Sequence, residues 1–504
     1  MNIKNIKGDI SGGIIAGVIA LPLALAFGIA SKLGAPAGLW GAIVLGFFAA
    51  AFGGTKMQVS GPTGPMTVIS AAIVVDLAGD IGSIMAVFVM TGIFQILFGL
   101  ARLGKLVKYI PYSVISGFMS GVGFIIIILQ INPMLGADSV SDTLGAIAAV
   151  PHAFANLSVP SVCLAAATLA ILYLTPKKIS AVVPAPLLAI LALTPVVYFG
   201  QLNVGIIGDI PTGLPDFVFP FSEKVWEHFP SIIMYAVMLA LLGSIDSLLT
   251  SLVADSITKT KHRSNQELVG QGIGNALVGF VGGIPGAGAT MRTVANIKAG
   301  GMGRLSGMTH SIFLLSVVLI LAPLVKYVPL AVLSGILLKV GLDILDYRLL
   351  KRLSHIPRKD LIVMLIVFGL TVFVNLILAV FFGVFLAWFL YETGVSKPNR
   401  KFNINVINEE KVKIVKINGP MYFGTNAKIM DNLNPENGKN LTIDMTHATF
   451  MDISSVYSLQ DFVDSVDSTQ TKVNILIDDE SFSGNALNEF KYILRDNISR
   501  IHNS

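Results

Sequence analysis

Up to about Glu392 the chain is a string of apolar runs broken by short polar loops. Runs of about 20 apolar residues have the length of a helix that crosses a bilayer. The pattern predicts such segments at about 10–30, 37–53, 63–78, 83–101, 111–132, 160–176 and 182–199. A second set is predicted at about 230–251, 266–282, 288–299, 307–325, 328–345, 361–376 and 377–393, which makes fourteen. The third and tenth are too short to cross a hydrocarbon core of roughly 30 Å as helices. From about Lys397 the pattern changes, with frequent charges and with apolar residues that alternate or form short blocks. This divides the chain into a membrane domain at 1–393, a linker at 394–402 and a soluble domain at 403–504. In the soluble part strands are predicted at Val412–Ile417, Leu441–Asp444 and Val473–Ile477, and helices at Asn426–Asn432, Ser454–Val466 and Leu487–Ile498.

Composition strengthens the membrane reading. Hydrophobic residues are 54% of the chain and charged ones 13%, against roughly 25% charged in a soluble protein. The 49 glycines suit close packing of membrane helices. The first apolar run lacks a good cleavage site followed by soluble sequence, so it is expected to be a membrane helix, not a removed leader. The single Cys163 rules out an internal disulfide and is expected to be a small buried hydrophobe. The formal net charge of +5 is explained by topology, and no nucleic acid is expected as partner. With Lys4 and Lys7 on the cytoplasmic side, the basic residues Lys56, Arg102, Lys105, Lys177, Lys259, Arg304 and Arg348 all fall at loops on that side. The long loop at 133–159 holds Asp138 and Asp142 and no Lys or Arg. Fourteen segments with both termini in the cytoplasm fit this bias, in the cell's inner (plasma) membrane.

One internal repeat stands out. Lys108-Tyr109-Ile110-Pro111-Tyr112-Ser113-Val114-Ile115-Ser116-Gly117 returns 218 positions later as Lys326-Tyr327-Val328-Pro329-Leu330-Ala331-Val332-Leu333-Ser334-Gly335, with six identities. Seven segments separate the copies, so they enter the membrane from opposite sides. Inverted repeats of this kind are typical of secondary transporters and place the substrate near the midplane. The two short segments hold equivalent places in the two halves. Each follows a Gly/Pro stretch, Ser60-Gly61-Pro62-Thr63-Gly64-Pro65 and Gly282-Gly283-Ile284-Pro285-Gly286-Ala287-Gly288.

A helix that begins inside the membrane has backbone N–H groups without intrahelical partners. Its dipole places roughly half a positive charge there. Two such ends facing each other form an anion site without lysine, with Thr63, Gly64, Thr67, Ala289 and Thr290 as the expected donors. Glycines that serve only helix packing are the plainer alternative. Intramembrane charges are rare and usually functional, and Asp246 lies deep in the eighth segment. Thr250, four residues on, shares its helix face. Carboxylate, hydroxyl and carbonyl oxygens suit a hard cation such as Na⁺; the alternatives are a proton on Asp246 or a structural hydrogen bond. Arg292 either attracts the anion or braces the tenth segment through carbonyls. Asp255 is expected to pair with Lys259, Lys339 to reach the interface, and Asp76 and Asp80 to be solvated.

These residues carry a resemblance. Gly8-Asp9-Ile10-Ser11-Gly12-Gly13, Leu21-Pro22-Leu23-Ala24 and the Pro111–Gly123 stretch resemble the SulP family of anion transporters. Pro62-Thr63-Gly64-Pro65-Met66-Thr67-Val68 and Gly286-Ala287-Gly288-Ala289-Thr290-Met291-Arg292-Thr293 are most similar to its BicA-type sodium-dependent bicarbonate transporters. Gly61 departs from that type, which carries an acidic residue there. The resemblance implies an α-helical membrane protein with fourteen segments in a seven-plus-seven inverted repeat. A core domain would move against a gate domain like an elevator, in a homodimer. It implies Na⁺ ligands at Asp246, Thr250, Gly288, Ala289 and Thr290, and an anion site by Thr63 and Ala289. The tail has the order of a cytoplasmic α/β STAS domain, which would contribute to the dimer. Its Asp452-Ile453-Ser454-Ser455 resembles the turn that carries a phosphorylatable serine in soluble relatives; the alternative is that Ser454 caps its helix.

The expected activity is therefore Na⁺-coupled uptake of a small inorganic anion, bicarbonate favoured. An H⁺-coupled sulfate or dicarboxylate symporter is the alternative, with an exchanger or channel of the same fold beside it. No zinc motif, nucleophile elbow or paired aspartate marks a membrane enzyme.

Overall fold

The computed structural model describes residues 5–476, apart from 105–109, 139, 141–142, 181–182, 209–212, 214, 216, 221–224, 259, 354–355, 375, 396–401, 410–411, 434–439, 451 and 466–472. The helix expected at Leu487–Ile498 and much of the first repeat copy's Lys108-Tyr109 start lie outside the described residues.

The first half runs α1 (Ile6–Ala30), α2 (Ala35–Phe52), β1 (Ser60–Gly61), α3 (Gly64–Asp76), α4 (Ile81–Leu100), α5 (Tyr112–Met134), α6 (Thr143–Ala155), α7 (Val159–Leu174), α8 (Lys177–Ser180) and α9 (Ala185–Phe199). The second runs α10 (Phe229–Thr258), α11 (Ser264–Phe280), β2 (Ala287–Gly288), α12 (Thr290–Lys298), α13 (Arg304–Val325), α14 (Leu330–Ile344), α15 (Tyr347–Leu350), α16 (Arg358–Phe373) and α17 (Leu376–Val395). Every predicted segment corresponds to a helix. The sequence pattern missed α6, in the loop at 133–159, which meets α7 at a 117° bend. Among the described residues five helices, α1, α2, α4, α5 and α10, are each long and apolar enough to cross a membrane alone. As expected, α3 and α12 are short, with 13 and 9 residues.

Among the described residues the chain divides into two compact units: residues up to 105 with 122–344, and 106–121 with 345 onward. In the first unit α11 packs between α4 and α2, and α1 lies against α2 and α13. Glycine makes these approaches possible. A Cβ on Gly92 of α4 would collide with the Gly272 carbonyl of α11, and one on Gly38 of α2 with the Ala24 carbonyl of α1. Close backbone approach through small residues is how membrane helices gain packing energy without a hydrophobic drive between them. The buried Asp9 of α1 accepts from the amides of Met302 and Gly303, both at 2.8 Å, and so secures the entry to α13.

One local expectation is corrected, and several charged residues gain partners, with Asp76 exposed as expected. Cys163 is exposed on α7 rather than buried. Asp255 receives His262 Nδ1 at 2.6 Å and the His262 amide at 2.9 Å, because the chain folds back after α10; Lys259 lies outside the described residues. Lys339 pairs with Asp343 one turn on and lies over the Tyr173 ring. Asp76 accepts from Tyr235 Oη at 2.9 Å, and Asp80 caps α4 through the Ser83 amide.

The second unit joins α16 and α17 to a four-stranded mixed sheet. Its strands are β3 (Asn403–Asn408), β4 (Val412–Met421), β5 (Asn440–Phe450) and β6 (Val473–Leu476), in that order. β3 runs antiparallel to β4, while β4, β5 and β6 are parallel. Parallel neighbours need crossovers, here α18 (Phe423–Asn432) and α19 (Ile453–Ser465). Val415, Ile417, Ile443, Ile429 and Leu459 form the fully buried centre. β3 was missed because its polar Asn403, Asn405 and Asn408 and mostly exposed faces weaken the alternation.

Ser454 does not cap α19. Asp452 does, accepting from the Ser455 amide at 3.0 Å and hydroxyl at 2.8 Å, and from the Phe423 amide at 2.7 Å. Ser454 Oγ instead accepts from the Tyr112 amide at 2.9 Å. The adjoining Ile453 amide donates to Asp360 Oδ2 at 2.8 Å, just before the apolar stretch that begins at Leu361. Asp360 and Asp452 are both buried. Burial first, and then the Asp452 charge, push the Asp360 carboxyl up to about 7. Burial raises Asp452 as well. Asp360 is also faced by the hydroxyls of Tyr391 and Ser113.

A carboxyl raised by docking keeps its proton in the docked state. Its contribution is complete below the ordinary aspartate value and is lost as pH rises through about 7. The melting temperature of the full chain should therefore fall more between about pH 5 and about pH 8 in the native protein than in Asp360→Asn. Equal slopes in the two proteins would contradict a raised Asp360 carboxyl.

Candidate ion-binding site

The two Gly/Pro stretches meet. Ser60 pairs with Gly288 and Gly61 with Ala287 in a short antiparallel ladder. The pairing needs glycine: a Cβ on Gly286 would collide with the Gly61 carbonyl and the Pro62 nitrogen. Asn275 of α11 holds this approach from behind, accepting from the Gly286 amide at 2.9 Å and donating to its carbonyl at 3.0 Å. Immediately beyond the ladder each strand turns into a helix, α3 after Thr63 and α12 after Ala289. Both of these residues are extended, and neither side chain bonds its own first turn. The first-turn amides of both helices are thus left for another acceptor.

The side chains at these ends are unusually under-bonded. Thr63 Oγ1 and Thr67 Oγ1 are buried without a hydrogen-bond partner, and so is Arg292 Nη1. A buried, unpaired polar group costs about 1–3 kcal/mol unless a ligand or water completes it. A Cβ on Gly64 would come within 2.9 Å of the Ile344 and Ile126 side-chain ends, so the two isoleucines close over the start of α3. Thr67 and Gly64 line a narrow space, also bounded by Gln130 and Leu337. Those two residues, with Ala30 and Leu129, also line a larger cavity of about 220 Å³ that reaches Lys32 and Asp138.

An oxygen cluster forms around Gly288 of the ladder. Thr250 Oγ1 sits 3.0 Å from the Gly288 carbonyl and 2.7 Å from Thr290 Oγ1. One turn earlier on α10, Ser247 Oγ accepts from the Gly288 amide at 3.0 Å and donates to the Gly243 carbonyl at 2.6 Å. Asp246 lies beside the Thr63 hydroxyl and in the field of the Arg292 guanidinium. Carboxylate, hydroxyl and carbonyl oxygens in one place are the ligand set of a hard cation.

Arg292 reaches from α12 to the approach of α3. Its Nη2 donates to the Pro62 carbonyl, and the missing Cβ of Gly61 leaves room for Nη1. The carbonyl it braces belongs to the approach of α3, not to α12, so this side chain ties the two half-helices together. The structure thus gathers Thr63, Gly64 and Thr67, Asp246 and Thr250, and Gly288, Ala289, Thr290 and Arg292 around one ladder. Sequence reading missed Asn275, Gln58, Gln271 and Glu267. Their signal was polarity inside segments 266–282 and at the 53–60 loop, hidden by the frequent charges at helix ends.

Residues 6–367 match the sulfate permease family and 403–476 match the STAS domain. The bicarbonate transporter BicA of Picosynechococcus sp. is 41% identical over 454 residues, covering 84% of this chain and 80% of the relative. The chain belongs to the sulfate permease (SulP) family. A putative sulfate transporter of Bacillus subtilis, YvdB, is 32% identical over 85% of this SulP chain and 83% of its own length. The solved transmembrane domain of a cyanobacterial BicA superposes with a TM-score of 0.69 at 44% identity, over 77% of this chain and 98% of that one. A murine solute carrier 26 member, A9, in an inward-facing state shares the fold alone, with a TM-score of 0.72 at 19% identity over 100% of this chain and 91% of the other. These relatives are transporters.

The close approach at Gly286 is testable. Overpacking of this kind typically costs about 1–3 kcal/mol, so Gly286→Ala should lower the melting temperature and abolish transport. Gly369, in α16, has open space at its Cβ, and Gly369→Ala should leave stability the same or raise it by up to about 1 kcal/mol. Equal tolerance at the two positions would show that the ladder is not tight.

Proposed function

We propose that this SulP chain carries bicarbonate into the cell with Na⁺, through an elevator-like movement of a core domain against a gate domain. One observation carries the reading: two half-helices start side by side at the Ser60–Gly288 ladder. The same ladder gathers the buried hydroxyls of Thr63 and Thr67 at the start of α3 and an oxygen cluster around Gly288 and Thr290. The anion binds at Thr63, Gly64, Thr67, Ala289 and Thr290, with the Arg292 charge behind it. The cation binds at Asp246, Thr250, Thr290 and the backbone of Gly288 and Ala289. The proteins named BicA among the relatives support bicarbonate as the anion.

Charge explains the coupling. An ionised Asp246 repels an anion held about 6 Å away by roughly 3 kcal/mol at an effective dielectric near 20. That is about two decades in affinity. A cation on Asp246 removes the penalty, so anion and cation bind better together than apart. The membrane domain at 1–393 leads through the linker 394–402 to a cytoplasmic STAS domain at 403–504. The protein sits in the plasma membrane with both termini inside, as a homodimer to which the STAS domain contributes. H⁺-coupled uptake of sulfate is the second reading, with sulfate suggested by the likeness to the putative sulfate transporter of Bacillus.

Uptake by proteoliposomes tests both. Labelled bicarbonate should accumulate with an inward Na⁺ gradient, and sulfate and succinate should not. Uptake that follows a pH gradient and ignores Na⁺ would favour the second reading. Thr250→Val keeps the shape and removes the hydroxyl, so the Na⁺ concentration for half-maximal uptake should rise by about tenfold, which corresponds to roughly 1.4 kcal/mol. Asp246→Asn should abolish Na⁺ dependence; full-rate, normally Na⁺-dependent uptake by this variant would exclude Asp246 as a ligand.

A further inference from the structure

Glu267 is another acidic side chain buried in the membrane domain, 1% exposed near the start of α11. Its surroundings differ from those of Asp246. Oε2 accepts from the Gly54 and Thr55 amides, both at 2.8 Å. Oε1 accepts from Gln58 Nε2 at 2.9 Å and from Gln271 Nε2 at 2.8 Å. Four donors converge on two oxygens, so little lone-pair capacity is left for a transported cation or a proton.

Both glutamines lead to the oxygen cluster. Gln58 Oε1 accepts from Ser251 Oγ at 2.9 Å, and Ser251 is next to Thr250 on α10. The Gln58 amide also presses on the bare Cα of Gly288, where any Cβ would collide with it. Gln271 Nε2 donates to Ser60 Oγ at 2.6 Å, and Ser60 is the ladder partner of Gly288. Thr55, held by its amide, meets Ser251 Oγ through its own hydroxyl at 2.7 Å.

We infer that Glu267 is a positioning residue for the cation site, which fixes Gly288 and Thr250 relative to each other through the Gln58 and Gln271 amides and carries no ion itself. The chain of contacts runs from one carboxylate to Ser251, next to Thr250, and to Ser60, the ladder partner of Gly288. Its loss would let the ladder and α10 shift independently, and a shift of a few tenths of an ångström is enough to weaken a small-ion site. The inference rests on the cation reading proposed above.

The distinction between positioning and ion carrying is experimental. Glutamine at 267 can keep every contact: its oxygen accepts the two amides, and its NH₂ donates to Gln58 and Gln271 once those amides flip. Leucine keeps the bulk and leaves four donors without an acceptor. In proteoliposomes, Glu267→Gln should keep the half-maximal Na⁺ concentration within about threefold of the native protein. Glu267→Leu should raise it by about tenfold or more, with the maximal rate at saturating Na⁺ within about threefold.

A Glu267→Gln variant as impaired as Glu267→Leu would overturn the inference, because the charge itself would then be at work. A Glu267→Leu variant with native Na⁺ response would overturn it from the other side. If Glu267→Leu fails to reach the membrane, Gln58→Leu decides in its place, since it breaks one bridge and leaves Glu267 three donors. It should raise the half-maximal Na⁺ concentration, and an unchanged value would again refute the inference. Na⁺-independent uptake by the native protein would instead remove the cation reading itself, so the two failures are separable.

Discussion

Backbone N–H groups at the start of a helix have no partner within the helix, and a bilayer offers no water to supply one. Two helices that begin inside a membrane domain are therefore stable only if something answers their open ends. Here the ends are set side by side by a ladder of two residues from each strand. A bound anion answers them most economically, because both dipoles favour it. The orphaned hydroxyls of Thr63 and Thr67 fit the same demand. The rest of the site follows from holding that ladder still.

Three supports hold it. Glycine lets the strands approach, since Gly286 has no space for a side chain. Amide side chains bond the exposed backbone, with Asn275 on Gly286 and the Gln58 and Gln271 pair around Gly288 and Ser60. Arg292 and Glu267 put opposite charges on either flank, one on the Pro62 carbonyl and the other on the Gly54 and Thr55 amides. Buried charges of this kind persist when each is fully hydrogen-bonded. Arg292 Nη1 is the exception, and it lies close to where the anion would add an acceptor.

Much of this was legible in the chain. Long apolar runs fix helices, because length and hydropathy leave no alternative in lipid. The short third and tenth segments, each behind a Gly/Pro stretch, marked the site. The ladder itself was not legible, since pairing of Ser60 with Gly288 depends on the tertiary approach of two distant loops. Glu267 was hidden for another reason: it lies near a predicted helix end, where a solvated acid is the ordinary expectation, and only the four converging donors reveal its burial. The role of Asp452 as the cap of α19 and the docking of Ser454 on Tyr112 likewise depend on contacts between parts far apart in the chain.

The central claim is that the anion at the paired helix ends and the cation at Asp246 bind with mutual benefit. Linkage makes this benefit reciprocal. Equilibrium binding of labelled bicarbonate to the purified, detergent-solubilised protein across a Na⁺ series, with choline replacing Na⁺, measures it directly. The account predicts that saturating Na⁺ tightens bicarbonate binding by up to about two decades. Bicarbonate affinity that is the same with and without Na⁺ would contradict it.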